Sequence, residues 1–598
     1  MNRAIYNTVT FAFVCALGAC GSDKSVQMDT PATTVPPPTA AAGGTATASA
    51  SGAPSTVTAT AGMTAAPRAG APATPKAGSP APVTAGSAAG MPAPAGAGAG
   101  AGAPATPADA GPPEASGPTE LPREPTHVDV TNDTKRRFGA PHVAVNPKDP
   151  NNIVVLASSN LGYTRTCVPA PVGSDCEMIP AGNPLLTQPR GFYKTPGFMD
   201  IGVYASFDRG KTFERVDVSK LVPPGHPEVN ARGEGPIAAL ADGTFYVGFN
   251  AINWGQWESQ PTTFFPNGGV GVIKSTDGGK TWNWVSYSHT PADWPYGGSD
   301  LVTGTFYVTS GLAGLSTLGP RSTGLADSPE GTIADRWISS TKDGTTWTDP
   351  QALGGENGAS HVTAGHSSVA AAHGIMATMF VSSDSASCRF FLGSMAPANC
   401  VVFQTSKDAG VTWARHRVPA PAGFRAAALS LLLGADPKKE GHFIAVLLSE
   451  SGSDILAFQT ADSGNTWSEP VKLTTDPTKT KFAPWVASSP GGEFGVMWRT
   501  YEPDPAKPRA SAPYMPYSVW AVVTKDGGAT FSRPLQISHA NSPAPPDDPD
   551  DAFSFIGDHG PSGMALDDRG GAYVVWADWT SGERSISFSA VDVKAFEF

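Results

Sequence analysis

From Phe138 to Phe598 apolar and polar residues alternate in short runs, broken every few positions by Gly, Asp or Asn. A period of two with this punctuation predicts half-buried β-strands joined by tight turns, and so an all-β chain. Candidate innermost strands are His142–Val145, Ile237–Leu240, Leu301–Val302, Ser368–Ala371, Ala428–Leu431, Trp485–Ala487 and Met564–Leu566. No apolar run reaches the ~18 residues of a membrane-spanning helix. Ahead of Phe138 the pattern fades. Gly21–Thr119 holds no Phe, Tyr or Trp and only seven charged side chains among Ala, Pro, Gly, Thr and Ser. It has nothing with which to build a core and reads as a disordered linker.

One motif recurs six times within the strand pattern: Ser206 to Phe213, Ser275 to Trp282, Ser340 to Trp347, Ser406 to Trp413, Thr460 to Trp467 and Thr524 to Phe531. Each copy carries a hydroxyl residue, an Asp (208, 277, 343, 408, 462, 526), a Gly (210, 279, 344, 410, 464, 528), a Thr and a closing aromatic ring. The carboxylate can accept hydrogen bonds from the turn it starts, the glycine supplies a positive φ, and the aromatic pins the hairpin to a core. In the third copy Lys342 stands where the spacing from Ser340 puts the carboxylate, with Asp343 one residue later, so this turn is expected to be looser. Asp208, Asp277, Asp343, Asp408, Asp462 and Asp526 therefore read as structural.

These repeats resemble the Asp-boxes of the sialidase-like (bacterial neuraminidase repeat) β-propellers. The resemblance implies a single β-propeller of four-stranded blades after the linker, with each box on the hairpin between third and fourth strands. The box glycines lie 69, 65, 66, 54 and 64 residues apart, so the 461 residues from Phe138 make about seven blades. Six is the alternative. The seventh would run from Phe553 to Val593 and lacks a box. The domain boundaries are then 1–20, 21–120 and 121–598.

The N-terminus adds an address. Arg3 precedes an apolar stretch from Val9 to Leu17, the pattern of a secretory signal, and Leu17-Gly18-Ala19-Cys20 resembles the lipobox of bacterial lipoproteins, which implies lipidation of Cys20. This places the chain outside the cytoplasm, anchored by lipid to the outer membrane or cell surface of a bacterium. Four further cysteines, Cys167, Cys176, Cys388 and Cys400, read as two disulfides, the local pairing being the simplest of three; a zinc site is the alternative. A net charge of −12, all of it on the folded part, argues against nucleic acid.

Strand alternation puts the boxes and the turns between first and second strands at one end of a propeller. Long connections between second and third strands, at 160–200, 251–268, 311–335, 382–400 and 500–517, gather at the other. Arg232, Glu234, Asp300, His366, Arg425 and Asp558-His559 precede inner strands, while Arg499 and Tyr501 follow a second strand. Trp254, Trp257, Trp294, Tyr296, Tyr514 and Tyr517 could stack on sugar rings. The resemblance to sialidases implies an arginine clamp, here Arg232, Arg425 and Arg499, with Tyr501 as nucleophile, Glu234 as its base and Asp300 as acid. The family's N-terminal aromatic, Arg, Ile, Pro motif is missing, since the chain reads Arg136 to Pro141 as Arg, Arg, Phe, Gly, Ala, Pro. Three functions thus compete: a propeller that binds glycan or a surface protein, an exo-sialidase-type glycoside hydrolase, and another glycan-cleaving enzyme. No cofactor is expected, apart from calcium at Asp547, Asp548, Asp550 and Asp551 as the lesser reading of a solvated acidic loop. The protein is expected to be a monomer that meets the membrane through its anchor only.

Overall fold

The structure is a computed structural model and describes residues 120–132, 137–160, 167–168, 177–178, 199–218, 221, 231–233, 235–252, 269–288, 295–311, 336–352, 362–363, 369–382, 400–502, 515–543, 563–582 and 584–598. Seven antiparallel sheets follow one another along the chain. Blade one is Arg137–Asn146, Asp149–Asn160, Met199–Ser206 and Glu214–Val216. Blade two opens on two pieces, Ala231–Arg232 and Ile237–Ala239, and continues with Phe245–Ile252, Gly269–Ser275 and Asn283–Ser288. Blade three is Tyr296–Asp300, Thr305–Gly311, Arg336–Thr341 and Gln351–Ala352. Blade four also opens on two pieces, Val362–Thr363 and Ala370–Ala372, before Ile375–Ser382, Cys400–Ser406 and Ala414–Arg417. Blade five is Ala426–Ala435, Phe443–Ser449, Ile455–Thr460 and Val471–Lys472; blade six is Lys481–Ser488, Phe494–Tyr501, Tyr517–Thr524 and Leu535–Gln536. A separate short pair joins Cys167–Val168 to Glu177–Met178.

Blade seven is shared between the chain ends. Gly563–Leu566, Gly571–Asp578 and Ser585–Asp592 are its first three strands, and its fourth, Val128–Asp129, comes from the N-terminus. The N–H of Val130 donates to the Ile586 carbonyl at 2.8 Å and that of Asp592 to the Pro122 carbonyl at 2.9 Å, so the chain runs along the outer edge of this blade. This explains the missing box: no hairpin joins the third and fourth strands here. First strands of successive blades touch in order, and blade seven touches blade one. The ring is a seven-bladed propeller, as the glycine spacing predicts, and the six-bladed alternative is set aside. Among the described residues no helix is long and apolar enough to cross a membrane.

One inner strand differs from expectation. Leu301 and Val302 lie in the turn of blade three, whose first strand is Tyr296–Asp300.

The core lies between the blades. The closing ring of each box packs into the cluster its blade shares with the preceding one: Trp282 with blade one, Trp347 with two, Trp413 with three, Trp467 with four, Phe531 with five, and Phe213 with blade seven across the closure. Burying such a ring contributes roughly 1.5–3 kcal/mol. Blade seven has no box to offer the interface with blade six. That interface is filled instead by Tyr501, Tyr517, Trp576 and Phe596, the last delivered by the short C-terminal turn Val593–Ala595.

Candidate functional site

The two ends of the propeller are built differently. At the box end, Ser206 donates its hydroxyl hydrogen to Asp208 at 2.8 Å and accepts the N–H of Gly210 at 2.9 Å, while Asp208 accepts the N–H and hydroxyl of Thr212 at 2.9 and 2.6 Å. The same set recurs around Asp277, Asp408, Asp462 and Asp526. Asp408 is pushed down to about 2 by hydrogen bonds from the Thr412 side chain and backbone and from Ser406. For Asp208, burial acts in the opposite direction but is outweighed by hydrogen bonds from Thr212 and Ser206. Both oxygens of each carboxylate accept hydrogen bonds from its own turn, and those bonds hold it ionised as part of the turn.

The third box corrects an expectation. Its pairing hydroxyl is Thr341, not Ser340, so the Asp is not displaced; the turn is one residue shorter between Asp and Thr. Asp343 accepts the N–H groups of Thr345 and Thr346, both at 2.7 Å, and the Thr346 hydroxyl at 2.9 Å. These bonds hold its carboxyl well below the usual range, and the turn is as tightly held as the others.

Asp300 is also corrected. It ends the first strand of blade three, which places it at the box end, across the propeller from the long connections. It is fully buried, and its oxygens accept the N–H groups of Val302 at 2.8 Å, Thr303 at 3.1 Å and Gly374 of blade four at 2.7 Å. It ties two turns together, at the opposite end of the propeller from Arg425 and Tyr501.

At the other end all five long connections leave the described strands, after Asn160, Ile252, Gly311, Ser382 and Tyr501. Arg232 ends the first piece of blade two there, opposite Ala251. Arg425 is exposed and paired with Glu450 at 2.7 Å. Tyr501 and Arg499 share one face of the second strand of blade six, but both are buried. The Tyr501 ring stacks on Phe482 at 3.9 Å, and the Arg499 guanidinium lies 5.0 Å from the Tyr517 ring and 5.4 Å from that of Phe482. They pack the one interface that lacks a box ring. Tyr517 donates to the Ala577 carbonyl and Tyr296 is buried, so neither is an open platform for stacking. Glu234, Trp254, Trp257, Trp294, His366, Cys388, Cys176, Tyr514, Asp558 and His559, the acidic run Asp547, Asp548, Asp550 and Asp551, and Cys20 lie outside the described residues, as do the side chains of Arg232 and Cys167.

Sequence reasoning missed the polar surface over blades five and six. Lys479 pairs with Glu502 at 2.8 Å, Lys472 with Asp454 at 2.5 Å, and the buried Lys481 donates to the carbonyls of Ser453 and Asp476. Burial lowers the Lys481 pKa while Asp476 and Asp454 oppose the shift. Arg425, Lys472, Lys479 and Lys481 are thus matched by Glu450, Asp454, Asp476 and Glu502, and a matched surface creates little net field for an anion. Glu450 and Glu502 each directly follow a second strand, the positional rule that pointed to Tyr501, so that rule could have found them.

The described site is therefore one end of a seven-bladed propeller, six of whose blades carry the repeated Asp turn. Residues 317–542 match the BNR repeat-like domain. Among solved structures the chain is similar to a protein of unknown function from Dyadobacter fermentans, at 14% identity over 78% of this chain and 97% of that one, with a TM-score of 0.40. It is also similar to a Hadza microbial sialidase at 16% identity over 68% and 75% of the two chains, TM-score 0.36. An alpha-L-arabinofuranosidase from Fusarium graminearum matches at 13% over 67% and 97%, TM-score 0.40. No curated protein matches the sequence.

Proposed function

We propose that the protein is an exported, lipid-anchored propeller that captures neutral extracellular glycan at the end carrying the long connections. The observation behind this reading is the contrast between the ends. One is built of turns whose carboxylates bond within the turn; the other sends out five long connections, and its described surface over blades five and six carries matched charges. Long connections on a rigid ring are where binding residues concentrate. Trp254 and Trp257 would stack on sugar rings, with Arg232 and Glu234 beside them for hydroxyl groups. Cys20 would carry the lipid, and Cys167–Cys176 and Cys388–Cys400 would brace two of the connections. Cys400 is buried and carries no free thiol, in keeping with the second pair.

Binding is favoured over hydrolysis because Asp300 lies at the far end and Arg499 and Tyr501 are enclosed between blades. The test is a glycan array probed with the protein lacking residues 1–20. Capture of neutral glycans, lost in a Trp254→Ala, Trp257→Ala double variant, is expected. Silence across the array would sink the reading, and turnover of a fluorogenic sialoside abolished by Tyr501→Phe would replace it with the exo-sialidase-type hydrolase.

A further inference from the structure

Three rings from blades that are not neighbours meet across the propeller axis. His142 of blade one lies 5.0 Å from Trp485 of blade six and 6.1 Å from Tyr296 of blade three, and Tyr296 lies 6.3 Å from Trp485. From this plug a cavity of about 190 Å³ runs toward the box end, reaching Leu301 and Pro437 in the short turns there. All seven inner strands contribute to its wall, and none of its lining residues is an Asp, Glu, Lys or Arg.

We propose that this axial cavity is a second binding site, separate from the long connections, for one neutral ring-shaped polyol of monosaccharide size. A cavity of roughly 150 Å³ takes up a benzene-sized ring, so this one has room for a ring bearing hydroxyl groups. Each inner strand pairs on one side only. Its other edge presents N–H and C=O groups to the axis, which need partners that both donate and accept. His142 is buried, and neither ring nitrogen has a hydrogen-bond partner among the described residues. An uncharged imidazole offers one donor and one acceptor, the pair a hydroxyl group matches. Trp485 supplies the apolar face against which the C–H side of a sugar ring packs. A charged ligand would lose its hydration with no counter-ion in return.

The test titrates the whole protein separately with D-glucose, D-galactose, D-xylose, L-arabinose and myo-inositol, following the His142 imidazole resonances by NMR. Saturable movement of those resonances by at least one of these probes is expected. Leu301→Trp, at the mouth of the cavity in a surface turn, is expected to weaken that binding about tenfold or more. His142→Phe keeps the plug ring but removes both nitrogens, and should weaken binding by a similar factor, read calorimetrically, while capture on the glycan array stays as in wild type. The proposal is overturned if none of the probes moves the His142 signals, or if the two variants bind as wild type does. Loss of array binding with cavity binding intact would reject the proposed function alone.

Discussion

Gly464 and Gly528 occupy the same position in two boxes and have nearly the same backbone, φ +96° and +100°. Alanine at either meets the same left-handed penalty of about 1–2 kcal/mol. Their surroundings differ. A Cβ on Gly464 would stand 2.6 Å from Cδ1 and 2.8 Å from Cε1 of Phe403 in blade four, whereas on Gly528 the nearest atoms, of Gln459 and Ile444, are 3.7 Å away. Phe403 is fully buried, with Trp467 edge-on at 5.1 Å and Phe443 at 5.6 Å, so its ring has nowhere to retreat. The overlap adds about 1–3 kcal/mol. Gly464→Ala is therefore expected to lose roughly 2–5 kcal/mol and Gly528→Ala only roughly 1–2. Urea unfolding followed by tryptophan fluorescence and circular dichroism compares the midpoints at equal m-value. Trimming the neighbour with Phe403→Leu should recover part of the Gly464→Ala loss, seen as a coupling energy in the double-mutant cycle. Equal midpoint shifts for the two glycines, or no coupling, would refute the idea that boxes clamp one blade onto the previous one and leave them as isolated turns.

Val130 is buried in the interface where the N-terminal segment closes the ring; Val130→Asp is expected to cost at least about 3 kcal/mol, measurable as a lowered melting temperature. Asp567→Ala removes one partner of the buried ion pair with Arg209, whose guanidinium bonds Asp567 and Tyr573, each at 2.7 Å, between blades one and seven; a loss of about 3–5 kcal/mol is expected from breaking a buried pair. Burial lowers His142 from 6.5 to about 4. Between those values the unfolded chain binds the proton and the folded one does not, so stability falls by roughly 3 kcal/mol as pH drops from 6.5 to 4, then levels. His142→Phe should flatten that part of the urea-midpoint profile. A separate loss, from the lowered box aspartates, begins below 3.8 and continues to about 2 for Asp408 and Asp526; it should persist in the variant. Asp300→Asn is expected to cost about 1–3 kcal/mol through its backbone partners without changing glycan capture.

The boxes were legible because their chemistry is local: hydroxyl, carboxylate, glycine and threonine satisfy one another within a few residues, and the spacing then counts the blades. The first strand of blade three was not, because Tyr296-Gly297-Gly298-Ser299-Asp300 carries two glycines and no alternation. A Cβ on Gly297 would overlap the Tyr307 carbonyl oxygen of its own blade and stand 2.9 Å from Pro236 Cγ of blade two, and one on Gly298 would stand 2.9 Å from the Val369 carbonyl oxygen beside blade four. Moving that strand by one turn carried Asp300 from one end of the propeller to the other and dissolved the proposed acid. Arg499 and Tyr501, expected to follow the second strand of blade six, lie within its last three residues. Their burial follows from the absent seventh box, which leaves the interface between blades six and seven to be filled by strand residues and by Phe596. The closing strand Val128–Asp129 is two residues long and pairs with Phe588 and Ser587, a separation no local pattern can reveal. The same holds for the His142, Tyr296 and Trp485 plug.

The closure also decides where the described chain enters and leaves the propeller. Asp592, at the box end of its strand, holds the Pro122 carbonyl, and Phe598 lies under Lys525 in the sixth box at 4.1 Å. Both ends of the described chain therefore leave from the box end. Residues 122–131 run along the outer edge of blade seven ahead of blade one, where the N–H of Phe138 donates to the Arg584 carbonyl. On the lipid-anchored reading, a pull on the tether runs along the hydrogen bonds that join residues 122–131 to the third strand of blade seven, loading them together in shear. A ring that closed within its C-terminal blade alone would have no such constraint, and its first strand would bring the tether in on the side where the long connections lie.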